Sequence, residues 1–212
     1  MLVIAQLYTF LVVCLRGGDD SVSDKIKIEN SVQILFQNTG EILNPLRNIN
    51  DIIDEAIKIR FGKQELESEK RKILDSVNFI KKLWQRKGFE LSGGEQQRAA
   101  LARILSVQPE VLILDEPFSA QDPISQLNLR ELLKSINKEF KISMICISHN
   151  LKMLRSLCDD AIVMYKGKIV EKGEIKNIFE NPLHPYTKFL LKAEDYTLSY
   201  DEIQNERELL IE

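Results

Sequence analysis

Two apolar runs separated by one helical stretch constrain the fold of this chain more than any other feature. Residues 111–114 and 142–147 are apolar at almost every position instead of alternating with polar residues, which is typical of strands buried on both faces. Between them, residues 125–138 place apolar side chains at helical spacing. A strand, a helix and a strand in this order predict an α/β fold whose parallel sheet is covered by helices.

Polar side chains follow both predicted strands at the point where each strand ends. Asp115 and Glu116 come after the first strand, and Ser148 and His149 come after the second. Ligands bind at this edge of a parallel sheet, because the carboxyl ends of its strands meet there. Asp115 is suited to hold Mg²⁺ through water, and Glu116 to deprotonate an attacking water. The alternatives are acids that merely end a strand and a histidine that is structural or solvated.

A serine and two glycines open another helical run. Ser92, Gly93 and Gly94 stand directly before Glu95 and the run 98–105. Backbone N–H groups and the positive end of the helix dipole are exposed at such a start, so it is suited to bind a phosphate. A plain serine N-cap is the alternative interpretation.

The remaining segments complete the predicted architecture. Residues 32–36 predict a strand that ends at Gln37, residues 50–87 a mainly helical segment, and residues 188–192 a final helix. The apolar opening, residues 1–15, predicts a buried helix. It lacks the basic residues and the small-residue cleavage site of an export signal.

The composition of the chain limits the kinds of partner that it can bind. The 212 residues carry a formal net charge of -3, with 44% hydrophobic residues, so the chain has no overall attraction for nucleic acid or for an anionic membrane. Any membrane association must then come through a protein partner. The three cysteines are far apart and odd in number, which favours reduced thiols over a disulfide framework.

Taken in order, these residues resemble the nucleotide-binding domain of ABC transporters. The resemblance runs from residue 32 to about residue 173 and implies a P-loop NTPase-like α/β core with an added helical subdomain. It implies ATP and Mg²⁺ as cofactors. The implied roles are metal binding for Asp115 and Gln37, catalysis for Glu116 and His149, and nucleotide binding for Gln37, Ser92, Gly93, Gly94, Glu95 and Asp122.

Two segments narrow the resemblance to importers of oligopeptides, dipeptides and nickel. Residues 33–45 look like the glutamine loop of that group, and residues 181–187, Asn-Pro-Leu-His-Pro-Tyr-Thr, look like its C-terminal motif. The prolines of the second segment stiffen an extended turn, so a rigid connector before the final helix is the alternative.

The resemblance also implies a division of the chain and a set of partners. Residues 1–49 would be an incomplete N-terminal part of the core, 50–90 the helical subdomain, 91–175 the rest of the core, and 176–212 a tail. The expected partners are a second ABC ATPase subunit and transmembrane permease subunits, without nucleic acid. The expected location is the cytoplasmic face of the cell membrane, as a peripheral subunit.

One part of the family pattern is absent from this sequence. No G-x-x-x-x-G-K-[ST] phosphate loop occurs, and Gly17-Gly18 is followed by two aspartates that would repel a triphosphate. We therefore expect a chain whose first strands and phosphate loop are missing at its N-terminus. The family hydrolyses ATP, but this chain is not expected to do so alone.

Three functional interpretations remain open from the sequence. The chain can be an importer subunit that completes a site on an intact partner through Ser92, Gly93 and Gly94. It can be a truncated fragment without activity, or a regulatory pseudo-subunit that supplies only residues 91–95 to an intact partner. An ABC ATPase acting on DNA or ribosomes is disfavoured by the motif at 181–187 and by the lack of a basic excess.

Overall fold

A mixed, mostly parallel sheet lies at the centre of the fold. The computed structural model describes residues 11–12, 32–37, 43–61, 66–119 and 121–194. The sheet has the order β1–β4–β3–β2, and its strands are β1 (Leu11–Val12), β2 (Val32–Leu35), β3 (Val111–Asp115) and β4 (Ser143–Ile147). Strands β2, β3 and β4 run parallel, which confirms the predicted α/β class.

Helices surround the sheet and also form a separate layer. The helices are α1 (Ile49–Phe61), α2 (Leu66–Ser76), α3 (Gly93–Leu105), α4 (Pro123–Phe140), α5 (Leu151–Leu157), α6 (Ile175–Glu180) and α7 (Pro185–Glu194), with 3₁₀ turns at Lys81–Leu83 and Gly88–Glu90. The apolar faces of strands and helices join in one buried cluster. Leu112 and Leu114, which share one face of β3, are both 0% exposed, whereas Val111 and Ile113 on its other face are half-buried.

Residues 49–90 are mainly helical, as the sequence predicted for 50–87. Helices α1 and α2 pack on each other through apolar side chains and through a buried cation, Lys70. The Lys70 ammonium lies 2.9 Å from Asp54 and 2.7 Å from Glu67. A buried charge is tolerated only when it is paired in this way, so the pair fixes how the two helices meet.

Three features differ from the sequence expectations. Leu11–Val12 forms a strand antiparallel to β4, so the predicted helix over residues 1–15 is wrong at these two positions; the rest of that segment lies outside the described residues. Short apolar runs do not distinguish strand from helix. A hairpin of β5 (Asp160–Tyr165) and β6 (Lys168–Glu174) was not predicted.

The third difference concerns the last helix, which begins at Pro185 rather than at residue 188. Proline is favoured in the first helical turn because its missing N–H has no intrahelical partner there. The proline that was interpreted as part of a stiff connector therefore starts the helix.

The cysteines divide into two kinds among the described residues. Cys146 is a free thiol on β4, and its burial raises its pKa to about 12. Cys158 is disulfide-bonded, so the expectation of reduced thiols is wrong for Cys158. Cys14 lies outside the described residues.

Candidate functional site

The carboxyl ends of β3 and β4 meet at one edge of the sheet, as predicted. Asp115, the last residue of β3, is paired in register with Ile147, the last residue of β4. The next residue, Glu116, donates its backbone N–H to the Ile147 carbonyl at 2.8 Å. We call Asp115, Glu116, Ser148 and His149 the acidic strand end.

Glu116 has an unusual backbone conformation. Its φ of 47° lies in the left-handed region, which costs a residue with a side chain on the order of 1 kcal/mol. The Ile147 carbonyl holds its N–H, and its own carbonyl accepts hydrogen bonds from the N–H and hydroxyl of Ser119 at 3.2 and 2.9 Å. These bonds hold the turn that aims the carboxylate at β4.

The residues that follow β4 fix the Glu116 carboxylate. The Ser148 hydroxyl donates to Oε2 at 3.2 Å, and the His149 backbone N–H donates to Oε1 at 3.1 Å. The His149 Nδ1 lies 3.0 Å from the same Oε1, so it donates when it carries the ring proton, because a carboxylate only accepts. The His149 side chain is 64% exposed and that of Glu116 is 22% exposed. The pair is therefore held rigidly at its base and reachable from solvent.

Ser92, Gly93, Gly94 and Glu95 form the start of α3, which we call the helix start. Ser92 is the N-cap of this 13-residue helix. A Cβ at Gly93 or Gly94 would meet nothing within 4 Å, and both residues are exposed. In the described part of the chain, no hydrogen bond engages the N–H of either glycine. Two donors at the positive end of a helix dipole are thus free for an anion.

Glu95 is already bonded to Ser92. Its Oε2 accepts the Ser92 backbone N–H at 2.8 Å and the Ser92 hydroxyl at 2.9 Å. The Glu95 N–H in turn donates to the Ser92 hydroxyl at 3.4 Å, which completes a capping box. The Ser92 N–H is the main cause that holds the pKa of Glu95 below its ordinary value of 4.5.

Glutamines that the sequence analysis did not single out connect the helix start to the acidic strand end. Gln97, only 7% exposed, donates from Nε2 to the carbonyl of Pro117 at 3.1 Å. Gln121 donates from Nε2 to Gln97 Oε1 at 2.8 Å and to the same Pro117 carbonyl at 3.2 Å. Pro117 directly follows Glu116, so α3 is bonded to the turn that carries the predicted base. The only sequence signal was a glutamine on the buried side of a helix.

A cavity of about 360 Å³ brings together four of the predicted residues, namely Gln37, Gly93, Gly94 and Asp122. Asp122 is the N-cap of α4, where its Oδ1 accepts the N–H groups of Ile124 and Ser125 at 3.0 Å each. Bonds from Ser125 lower the pKa of Asp122. The acidic strand end does not line this cavity; its solvent-exposed side chain is His149. The predicted residues therefore form two groups joined by Gln97.

The motif at 181–187 is built into the start of α7. The Glu171 carboxylate on β6 accepts the N–H groups of Leu183 and His184 at 2.8 and 3.0 Å. Burial alone would raise the pKa of Glu171, but these N–H donors outweigh it and lower that pKa. His184 Nδ1 accepts the Tyr186 N–H at 3.2 Å, and the Tyr186 ring lies 4.2 Å from that of Tyr165. The motif thus starts a helix and anchors it to the hairpin.

The sequence of this chain matches models of two known protein families. A model of the ABC transporter family matches residues 14–119, which include the helix start and both acids. The chain belongs to the ABC transporter family. A second model, described as the oligopeptide/dipeptide transporter C-terminal region, matches residues 170–197. That range contains Glu171 and the motif it anchors, which confirms the predicted subfamily.

Curated relatives of this ABC chain carry peptide-transport names. The oligopeptide transport ATP-binding protein OppF of Lactococcus lactis subsp. lactis is 38% identical over 184 residues, which cover 84% of this chain and 57% of the relative. The di/tripeptide transport ATP-binding protein DppF of Pseudomonas aeruginosa is 37% identical, with 82% of this chain and 54% of the relative covered. The chain therefore spans just over half the length of these relatives.

Solved structures confirm the ABC ATPase fold. CbiO1 of Clostridium perfringens, described as part of the ABC transporter complex cbiONQ, has a TM-score of 0.66 at 25% identity, with 84% of this chain and 68% of that chain covered. The ATP-binding cassette MJ0796, in a dimeric post-hydrolysis state bound to ADP and Pi, has a TM-score of 0.58 at 22% identity, with 69% and 63% covered. The second likeness shows the fold alone.

The ABC family implies ATP and Mg²⁺, and the residues present fit part of that requirement. The free N–H groups of Gly93 and Gly94 fit a phosphate. Within the described ranges no cluster of three or more His, Cys, Asp or Glu could hold a metal. Asp115 and the exposed Gln37 therefore fit Mg²⁺ only as one or two ligands beside water and phosphate, which is how Mg²⁺ usually binds.

Proposed function

We propose that this chain is the ATP-binding subunit of an ABC importer of peptides, with nickel as the alternative solute of the same subfamily. It couples the binding and hydrolysis of ATP to uptake. The observation that carries the proposal is the pair of free N–H groups at Gly93 and Gly94, on a helix bonded through Gln97 to the turn of Glu116. The peptide-transport names of the relatives support the solute class.

In this proposal each group has a chemical role. ATP with Mg²⁺ supplies the phosphoryl group that water attacks. Beside an intact phosphate loop, Asp115 and Gln37 would hold the metal, Glu116 would accept the proton of the attacking water, and His149 would donate a hydrogen bond to the terminal phosphate. The nucleotide's phosphates would contact the helix start, and Asp122, which lines the same cavity, would lie beside them. The bonds from Ser148 and His149 to Glu116 support this assignment, since they orient a carboxylate at the sheet edge.

The absent phosphate loop determines how these roles are shared. In an ABC dimer each composite site takes its phosphate loop from one subunit and its serine-glycine-glycine helix start from the other. This sequence has the second part and no G-x-x-x-x-G-K-[ST]. We infer that its helix start completes a site whose phosphate loop an intact partner subunit supplies. In such a pair, the site that contains Glu116 of this chain would not hydrolyse ATP.

The wider assignments follow from the same proposal. The partners are a second ABC ATPase subunit and the permease subunits, and residues 50–90 form the subdomain that contacts the permease. Residues 1–49, 91–175 and 176–212 are the two parts of the core and the tail. No helix among the described residues is long and apolar enough to cross a membrane. We place the chain at the cytoplasmic face of the membrane through its partners.

The proposed function is tested with a mixture of this chain and an intact homologous subunit. Ser92→Arg is expected to reduce the ATPase activity of the mixture by at least about tenfold, because a bulky side chain blocks phosphate at the helix start. Ser68→Arg, on an exposed position of α2, is the matched control and should change little. Glu116→Gln should also change little, because this chain supplies no phosphate loop beside it. Unchanged activity with Ser92→Arg would refute the proposal.

A truncated fragment without activity is the second candidate, favoured by the absent phosphate loop. It predicts that the chain neither binds ATP with Mg²⁺ alone nor alters the activity of an intact subunit, whereas a regulatory pseudo-subunit that supplies only residues 91–95 would alter that activity. Equilibrium dialysis of the isolated chain with ATP, with and without Mg²⁺, together with the mixture experiment, separates the two candidates.

A further inference from the structure

The contact between Glu95 and Ser92 bears on how the helix start can receive a phosphate. A serine hydroxyl carries one proton, and here that proton is donated to Glu95 Oε2 at 2.9 Å. The Ser92 backbone N–H is donated to the same oxygen at 2.8 Å. Glu95 therefore occupies two of the donors that would otherwise face the phosphate of the proposed site.

A phosphate cannot arrive beside this carboxylate without cost. Two like charges about 4 Å apart repel by a few kcal/mol near a protein surface. The Ser92 hydroxyl also cannot donate to phosphate while Glu95 holds its proton. The free N–H groups of Gly93 and Gly94 would bind the anion unaided until Glu95 moved.

A groove beside α3 gives the Glu95 carboxylate a second position away from Ser92. Glu95 and Arg98 both line a groove of about 590 Å³ between α3, α4 and residues 78–83. The positive charges of Arg86 and Lys82 already attract the Glu95 carboxylate. Glu131, the other acid on this groove, is paired with Arg130 at 2.7 Å. A carboxylate released from Ser92 would therefore meet the Arg98 cation in this groove.

We infer that Glu95 acts as an internal competitor of the phosphate: its carboxylate holds the Ser92 donors until ATP arrives, and it then turns toward Arg98 in the groove. Glu95 thereby sets the affinity of the helix start for nucleotide. The inference rests on the proposed function, since it assumes that the helix start binds phosphate.

The test compares two glutamates that make the same kind of cap. Glu95→Gln removes the charge and keeps an amide oxygen that can accept the Ser92 N–H. Glu90→Gln is the matched control, because Glu90 Oε2 accepts the Lys87 N–H at 2.7 Å, which is the same bond from an N-cap N–H to the glutamate three residues later. The full chain is titrated with an intact subunit whose catalytic glutamate is replaced by glutamine, so that ATP with Mg²⁺ persists, and the dissociation constant of the mixed dimer is measured.

Glu95→Gln is expected to tighten the ATP-dependent dimer by about tenfold, and Glu90→Gln to leave it unchanged. Arg98→Gln should weaken the dimer two- to threefold, on the order of a surface ion pair. Arg98→Lys keeps the positive charge and should restore most of the affinity. Circular dichroism on every variant verifies that α3 remains folded.

The outcomes separate the two ideas. If the wild-type chain forms an ATP-dependent dimer and Glu95→Gln leaves it unchanged or weaker, the competitor role is refuted and the proposed function stands. If no variant associates with the intact subunit in ATP, the proposed function fails and the inference fails with it.

Discussion

The helix start and the acidic strand end are held in place in different ways. The bonds within the helix start join residues three apart, such as Ser92 and Glu95. Those of the acidic strand end join residues 32 and 33 apart, from Glu116 to Ser148 and His149. A site made of nearby residues needs one helix to form, whereas one made of distant residues needs the whole sheet. We therefore expect the second to be far more sensitive to changes in the core.

The largest effect should come from a core change behind the acids. Leu114 is 0% exposed and lies between β2 and β4. Leu114→Ala should lower the free energy of unfolding by about 2–5 kcal/mol, through lost burial and a cavity. Urea unfolding measures this, with Leu127→Ala, at a 43% exposed position, as the control. A loss below about 1 kcal/mol would contradict the expectation that the sheet behind the acidic strand end is sensitive to changes in the core.

A smaller effect is expected from one bond of the acidic strand end. Ser148 is 0% exposed; its hydroxyl donates to Glu116 and accepts the Asn150 N–H at 3.1 Å. Ser148→Ala leaves both groups without that partner and should cost about 1–3 kcal/mol of unfolding free energy. The control is Ser135→Ala, at an exposed position of α4. Equal values for the two variants would show that the bond to Glu116 contributes nothing to stability.

Removing the cap of the helix start should cost less. Ser92→Ala loses the hydroxyl that receives the Glu95 N–H and should destabilise by about 1 kcal/mol, the usual value for a lost N-cap. Ser92→Thr keeps a hydroxyl and should retain most of the stability. A loss for Ser92→Ala well above that for Ser148→Ala would reverse the order that the comparison predicts.

The smallest effect is a dependence on pH at Glu95. Because its pKa is lowered in the folded chain, its stabilising contribution is complete above the ordinary value of 4.5 and is lost as the pH falls through the folded pKa. The difference in unfolding free energy between wild type and Glu95→Gln should therefore shrink from pH 7 to pH 3. A difference that grows toward acid would contradict the assigned bonds.

The same contrast explains what the sequence could predict. The parallel core followed from two apolar runs, and the acids fell at the end of β3 because strand ends meet at one sheet edge. The helix start was visible as Ser92, Gly93 and Gly94, a purely local pattern. The roles assigned to these residues stay predictions.

Other features were not visible, because they depend on contacts between distant segments. Nothing in the local sequence indicates that Leu11–Val12 pairs with β4, or that Glu171 receives the N–H groups of residues 183 and 184. The bond from Gln97 to Pro117 spans 20 residues. The left-handed backbone of Glu116 is set by the turn around it and not by glutamate's own preference.

That left-handed backbone has a consequence for how the protein can change over time. A glycine would adopt the same φ without strain, but it would remove the carboxylate that the Ser148 hydroxyl and the His149 N–H now reach. Relief of backbone strain and loss of two hydrogen bonds therefore oppose each other at position 116. A descendant can accept glycine here without loss of stability only if a second change gives those two donors a new partner.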